Sequence, residues 1–144
     1  LQEPTAKMSK SAASMSGVIE LLDAPEITLK KFKSSVTDAG REVKYDEKEK
    51  AGISNLLTIH SAFSGKPIKD IESEFAGKGY GDFKTQVAEI VVAALDPIRK
   101  RTEELMGDQS ELLKILKSGA DKANEVASKT LADAYAALGL IKNG

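Results

Sequence analysis

Apolar residues recur along this chain at helical spacing and nowhere in sustained alternation, which predicts a protein built from helices. Leu29, Phe32 and Val36, with lysines between them, mark one face of a helix that starts just after Pro25. Upstream, residues 1–25 are a Ser- and Ala-rich stretch leading into the apolar run Val18-Ile19-Glu20-Leu21-Leu22, which predicts a connector with one or two helical turns. Residues 37–50 lose the period, and with Asp38, Gly40 and Asp46 they predict a polar loop with at most a very short strand near Val43 to Tyr45. The period returns at Ile53, Leu56, Leu57, His60 and Phe63, and Gly65 is placed to stop that helix. Lys66-Pro67 opens the next, whose buried stripe is Ile68, Ile71 and Phe75, with Gly77 closing it.

Residues 76–82, Ala-Gly-Lys-Gly-Tyr-Gly-Asp, predict a tight turn whose glycines adopt conformations closed to other residues. The longest pattern follows: Phe83, Val87, Ile90, Val91, Ala94, Leu95 and Ile98 stay in phase past Pro97, so the helix continues and is kinked there. Gly107-Asp108 ends it. Leu112, Leu113 and Leu116 predict a short helix, and Ser118-Gly119-Ala120-Asp121 has capping-box spacing that predicts a new start. The last helix carries Ala123, Val126, Ala127, Thr130, Leu131, Ala134, Tyr135 and Leu138 on one side and stops at Gly139. The expected fold is all-α, an irregular bundle of about six or seven helices preceded by a loop.

Composition narrows the chemistry. At 144 residues with 41% hydrophobic and 30% charged, the chain has the balance of a soluble domain with one core. Lys+Arg 21 against Asp+Glu 22 leaves a net charge of -1, so no overall field draws it to nucleic acid or to an anionic membrane, and any RNA contact needs a local patch. Cysteine is absent and His60 is the single histidine, which removes thiolate catalysis, disulfides and the usual structural zinc; no metal site is expected. The longest apolar run, Ile90 to Leu95, is far too short to span a bilayer, and no signal-like segment opens the chain. A cytoplasmic setting is expected. The chain opens on Leu1 without an initiator methionine, which suggests a fragment of something longer.

The chemistry-bearing motif is Lys7-Met8-Ser9-Lys10-Ser11. Two ammonium groups and two hydroxyls in one short loop suit a polyphosphate on which negative charge is building. By itself the composition is also that of a solvated linker. The run is identical to the signature loop of the class I aminoacyl-tRNA synthetases, and later stretches resemble the bacterial tryptophanyl branch of that family. Residues 32–38, Phe-Lys-Ser-Ser-Val-Thr-Asp, are similar to its Lys-Ser-Ala-Val-Thr-Asp, and Val43-Lys44-Tyr45-Asp46 to its Arg-Tyr-Asp. Gly52-Ile53-Ser54-Asn55-Leu56-Leu57 matches its Gly-Ile-Ser-Asn-Leu-Leu, residues 75–84 its glycine turn, and Pro97-Ile98 with Arg101 its kinked helix. These occur in family order over nearly the whole chain. It departs from many members at Ala12 (Asp), Ala51 (Pro) and His60 (Tyr).

The resemblance implies the second part of a ligase that activates tryptophan with ATP, releasing pyrophosphate, and transfers it to tRNA(Trp). Residues 1–25 would be the signature loop and connector from the end of a catalytic domain, and residues 26–144 a C-terminal helical domain. The nucleotide-binding fold, the His-Ile-Gly-His-like motif and the tryptophan pocket are missing, so the chain alone is expected to be inactive and to bind no cofactor. Lys10 is the first choice to neutralise charge on the leaving phosphates, Lys7 its helper; Lys7, Met8, Ser9, Lys10 and Ser11 together form the ATP-binding loop. Magnesium would accompany ATP in the intact enzyme, and family members are homodimers through the missing catalytic domain. The alternative, from a different class, is a non-catalytic helical module for RNA or protein that retains the loop without using it. No DNA or membrane partner is implied.

Three further features have plainer readings. Residues 76–82 are no P-loop, since no Gly-Lys-Ser/Thr follows a strand. His60 falls on an apolar face and reads as a hydrogen-bonded core histidine. Arg99-Lys100-Arg101 is the densest basic run and the only candidate tRNA contact, but Glu103-Glu104 beside it favours a solvated helix face.

Overall fold

In a computed structural model of the chain, residues 1–9, 11 and 14–141 are described. Among them are five α-helices and one short 3-10 turn, with no strand: the turn Met15–Gly17, α1 (Pro25–Lys33), α2 (Ala51–Ser64), α3 (Ile68–Glu74), α4 (Tyr80–Gly107) and α5 (Gln109–Leu138). The all-α expectation holds, with fewer helices than expected.

The chain divides into two compact units, Leu1–Lys100 and Arg101–Gly144. The first holds the core. Phe32 of α1, Ile53, Leu56 and Leu57 of α2, Ile71 and Phe75 around the end of α3, and Phe83, Val87 and Val91 of α4 are buried together with Leu1 and Val43. Removing these side chains from water is the main driving force for this unit. His60 lies in the same core, 1% exposed, stacked on Phe83 at 6.0 Å and edge-on to Phe75 at 6.3 Å. Its Nδ1 shares a 3.2 Å hydrogen bond with the Ser64 hydroxyl, as a core histidine should, while its buried Nε2 has no partner.

Three expected elements differ. The run from Val18 to Leu22 forms no helix: the 3-10 turn precedes it, Val18 is extended, and the Glu20 amide donates to the Asp23 carboxylate at 3.0 Å, which turns the chain toward Pro25. Side-chain capping of backbone groups by Asp competes with helix there. Helix α1 ends at Lys33, before Val36, which is exposed. The third difference is that Gly119 starts nothing: α5 runs unbroken through it. A glycine inside a helix costs only about 1 kcal/mol, less than losing several backbone bonds at a break.

The punctuation elsewhere is as expected. Pro25 opens α1, Gly65 closes α2 with φ 71° and Gly139 closes α5 with φ 66°. In the glycine turn only Gly77 needs the left-handed region, at φ 79°; Gly79 and Gly81 do not, so the expectation for that turn holds at one glycine of three. Helix α4 continues through Pro97.

The second unit is the end of α4 and all of α5. Asp108 caps α5, its carboxylate accepting from the amides of Ser110 at 3.0 Å and Glu111 at 3.1 Å. Helix α5 buries no residue; Leu113, Leu116, Val126, Leu131 and Leu138 are exposed along it.

Candidate functional site

The loop that carries the signature rises from a pinned base. Leu1 is buried in the core, and its carbonyl accepts from the Val36 amide at 3.1 Å. The Gln2 side-chain amide donates to the Ser34 carbonyl at 3.1 Å. On the returning limb Gly17 lies against Gln2 so closely that a Cβ would meet the Gln2 amide nitrogen at 3.0 Å, and Val18 beside it is buried. Both limbs are therefore anchored a few residues from the motif.

Above the base the backbone is held by local serine bonds. Ser9 Oγ and Ser11 Oγ lie 2.9 Å apart, and the Ser11 amide donates to Ser9 Oγ at 3.3 Å. Ser14 repeats this arrangement with Ser16 and caps the 3-10 turn. Lys7, Met8 and Ser9 line a cleft of about 350 Å³ together with Glu3, Ser14 and Val18. Lys7, Met8 and Ser9 are all exposed to solvent. Of the five residues read as the ATP-binding loop, the structure brings together Lys7, Met8, Ser9 and Ser11; Lys10, Ala12 and Ala13 lie outside the described residues. Among the described residues no group of histidine, cysteine or acidic side chains is arranged to hold a metal ion. No helix among them is long and apolar enough to cross a membrane.

The basic run is partnered by carboxylates. Asp96 takes both Arg99 and Lys100 at 2.6 Å, and these cations hold its carboxyl below the usual range, Lys100 foremost. Arg101 pairs with Glu111 at 2.7 Å and Glu104 at 3.2 Å, which raise its already high pKa.

One polar cluster has no signal in the spacing of its residues. Asp38, in the loop after α1, accepts from the Tyr80 hydroxyl at 2.8 and 2.9 Å and from the Gly40 amide at 2.7 Å. Lys50 donates to Tyr80 Oη at 3.1 Å and stands 3.7 Å from the Asp38 carboxylate. Burial alone would raise the Asp38 pKa, but the bonds from Tyr80 and Gly40 and the Lys50 charge outweigh it and hold the carboxyl low. Nearby, Lys84 of α4 donates to the Ser35 carbonyl at 2.8 Å, and desolvation lowers its pKa.

With this geometry, comparison with known proteins is direct. A family profile described as "tRNA synthetases class I (W and Y)" matches residues 1–96. That range takes in the loop, its base and α1 to α3, and the chain belongs to this family. Among its relatives is the tryptophan–tRNA ligase of Leifsonia xyli, 52% identical over 142 residues, covering 99% of this chain and 42% of that protein. The tryptophan–tRNA ligase of Bacillus anthracis is 51% identical over 140 residues, covering 97% of this chain and 42% of its own length. A solved tryptophanyl-tRNA synthetase from Mycoplasma pneumoniae superposes with a TM-score of 0.81 at 31% identity, over 96% of this chain and 42% of that one. The chain thus spans about two fifths of the length of the relatives it matches.

Proposed function

We propose that this chain is the signature-loop and C-terminal part of a tryptophan–tRNA ligase. The observation that carries the reading is a Lys-Met-Ser-Lys-Ser loop on a pinned base, in a chain whose relatives named as tryptophan–tRNA ligases match it nearly end to end. In the whole protein the tryptophan carboxylate attacks the α-phosphate of ATP, pyrophosphate leaves, and the activated amino acid passes to tRNA(Trp). The loop's task is electrostatic. Lys10, helped by Lys7, neutralises charge on the departing phosphates, while Ser9 and Ser11 donate to their oxygens. The exposed placement of Lys7 supports this, since its ammonium must be able to meet a nucleotide held elsewhere. Magnesium enters as part of the ATP substrate. The tryptophan pocket and the homodimer contact belong to the portion outside this chain, the setting is cytoplasmic, and residues 26–144 serve as the C-terminal helical domain.

Two assays test this. The 144 residues alone should show no tryptophan-dependent pyrophosphate exchange, and activity from them would overturn the split-site reading. In the full-length protein, Lys10→Ala should slow exchange by on the order of a hundredfold while ATP binding weakens far less, because the charge it meets develops only in the transition state. An unchanged rate would instead support a helical binding module that retains an idle loop.

A further inference from the structure

The segment after α1, residues 34–38, touches both the base of the signature loop and the start of α4. Toward the loop, the Ser34 carbonyl accepts from Gln2 and the Val36 amide donates to the Leu1 carbonyl, both at 3.1 Å. Toward the helices, the Ser35 carbonyl accepts from Lys84 at 2.8 Å and the Asp38 carboxylate holds Tyr80 and Lys50. Gly52 of α2 closes the remaining side: a Cβ there would collide with the Val36 carbonyl oxygen and lie 3.0 Å from Thr37 Cα.

Side chains that hold a backbone segment on which a loop base is hydrogen-bonded set where that loop points. Lys84 donates to a main-chain carbonyl, and Tyr80 donates its hydroxyl to a carboxylate 42 residues away in sequence. Surface ion pairs of ordinary value do not need such arrangements, and a half-buried lysine in particular is costly to desolvate for one neutral acceptor. We infer that Lys84 and Tyr80, with Asp38 and Lys50, are positioning residues for the signature loop, acting on it through residues 34–38 and not by touching substrate. The inference rests on the ligase reading.

The experiment uses full-length protein and tryptophan-dependent pyrophosphate exchange. Lys84→Met keeps the stem and removes the donor; it should lower the exchange rate by up to about a hundredfold, the scale on which misplacing a catalytic group by about 1 Å costs rate. Lys84→Arg, which keeps a donor, should recover most of it. The decisive arm is the double variant with Lys10→Ala, which removes the lysine that carries most of the loop's work. If Lys84 works through the loop, its loss costs little more once the loop lysine is gone, whereas a merely structural role gives losses that multiply. Should Lys84→Met fail to fold, Tyr80→Phe, which removes a single oxygen, is put through the same cycle. Multiplying losses, or an unchanged rate in the single variants, overturn the proposal while leaving the ligase reading intact. A folded wild type without exchange activity overturns the ligase reading and this proposal with it.

Discussion

His60 shows how a single side chain ties the fold to pH. Burial among Phe75 and Phe83 disfavours the imidazolium and the nearby Lys66 charge adds to this, with Glu74 opposing, so its pKa falls below the ordinary 6.5. The fold favours the neutral ring. Stability is therefore full above the ordinary value and is lost as pH falls through the lower, folded value. Chemical unfolding between about pH 7.5 and about pH 5 should show a steeper loss for the wild type than for His60→Gln, which carries no titrating group there. Equal slopes would place the pH dependence elsewhere. Glycine gives a second test at this scale. Gly52→Ala must push a methyl into the Val36 carbonyl and should cost on the order of 2 kcal/mol, read as a shift in the denaturant midpoint. Gly65→Ala has open space around its Cβ and should cost only the strain of its left-handed backbone, about 1 kcal/mol.

Among the elements, what the sequence reveals depends on whether a face is half buried. The stripe Ile53, Leu56, Leu57 and His60 is legible because α2 lies with one side in the core, and those four are buried while Phe63, at the stripe's end, is exposed. The Val18 to Leu22 run has the right residues but no helix, because Asp23 and Pro25 decide the backbone first. Gly119 misleads in the opposite direction. Local punctuation is a contest of about 1 kcal/mol, and a helix with no buried residue decides it by propensity and capping alone. That makes α5 unusually sensitive to surface changes. Gly119→Ala should raise its helix content and Asp108→Ala lower it, each by about 1 kcal/mol, measured by far-ultraviolet circular dichroism through a thermal melt. The signature loop was legible for a different reason: its five residues are contiguous. Asp38, Lys50 and Tyr80 carry no periodic signal, and only folding brings residues 30 and 42 positions apart to one hydroxyl.

At the scale of the whole molecule, the two units rest on different physics. Leu1–Lys100 has a shared core of large apolar side chains, whereas the described part of the second unit is helix up to Leu138, and α5 buries none of its residues. Isolated helices are marginal in water, and most helical stability in proteins comes from burying an apolar face. Amide hydrogen exchange should therefore divide the chain near residue 100. Amides of α2 and of the first turns of α4 open only with global unfolding of the first unit, so they exchange slowly and share one free energy. Those of α5 open by local fraying and exchange orders of magnitude faster. The same measurement on the full-length protein separates two explanations of the exposed stripe of Leu113, Leu116, Val126 and Leu131. If the stripe is packed in the whole protein, α5 amides there become protected to the level of the core. If protection stays low, the helix stands by its caps and propensity in both settings. Equal protection of α2 and α5 in the 144-residue chain would contradict the division of stability argued from burial.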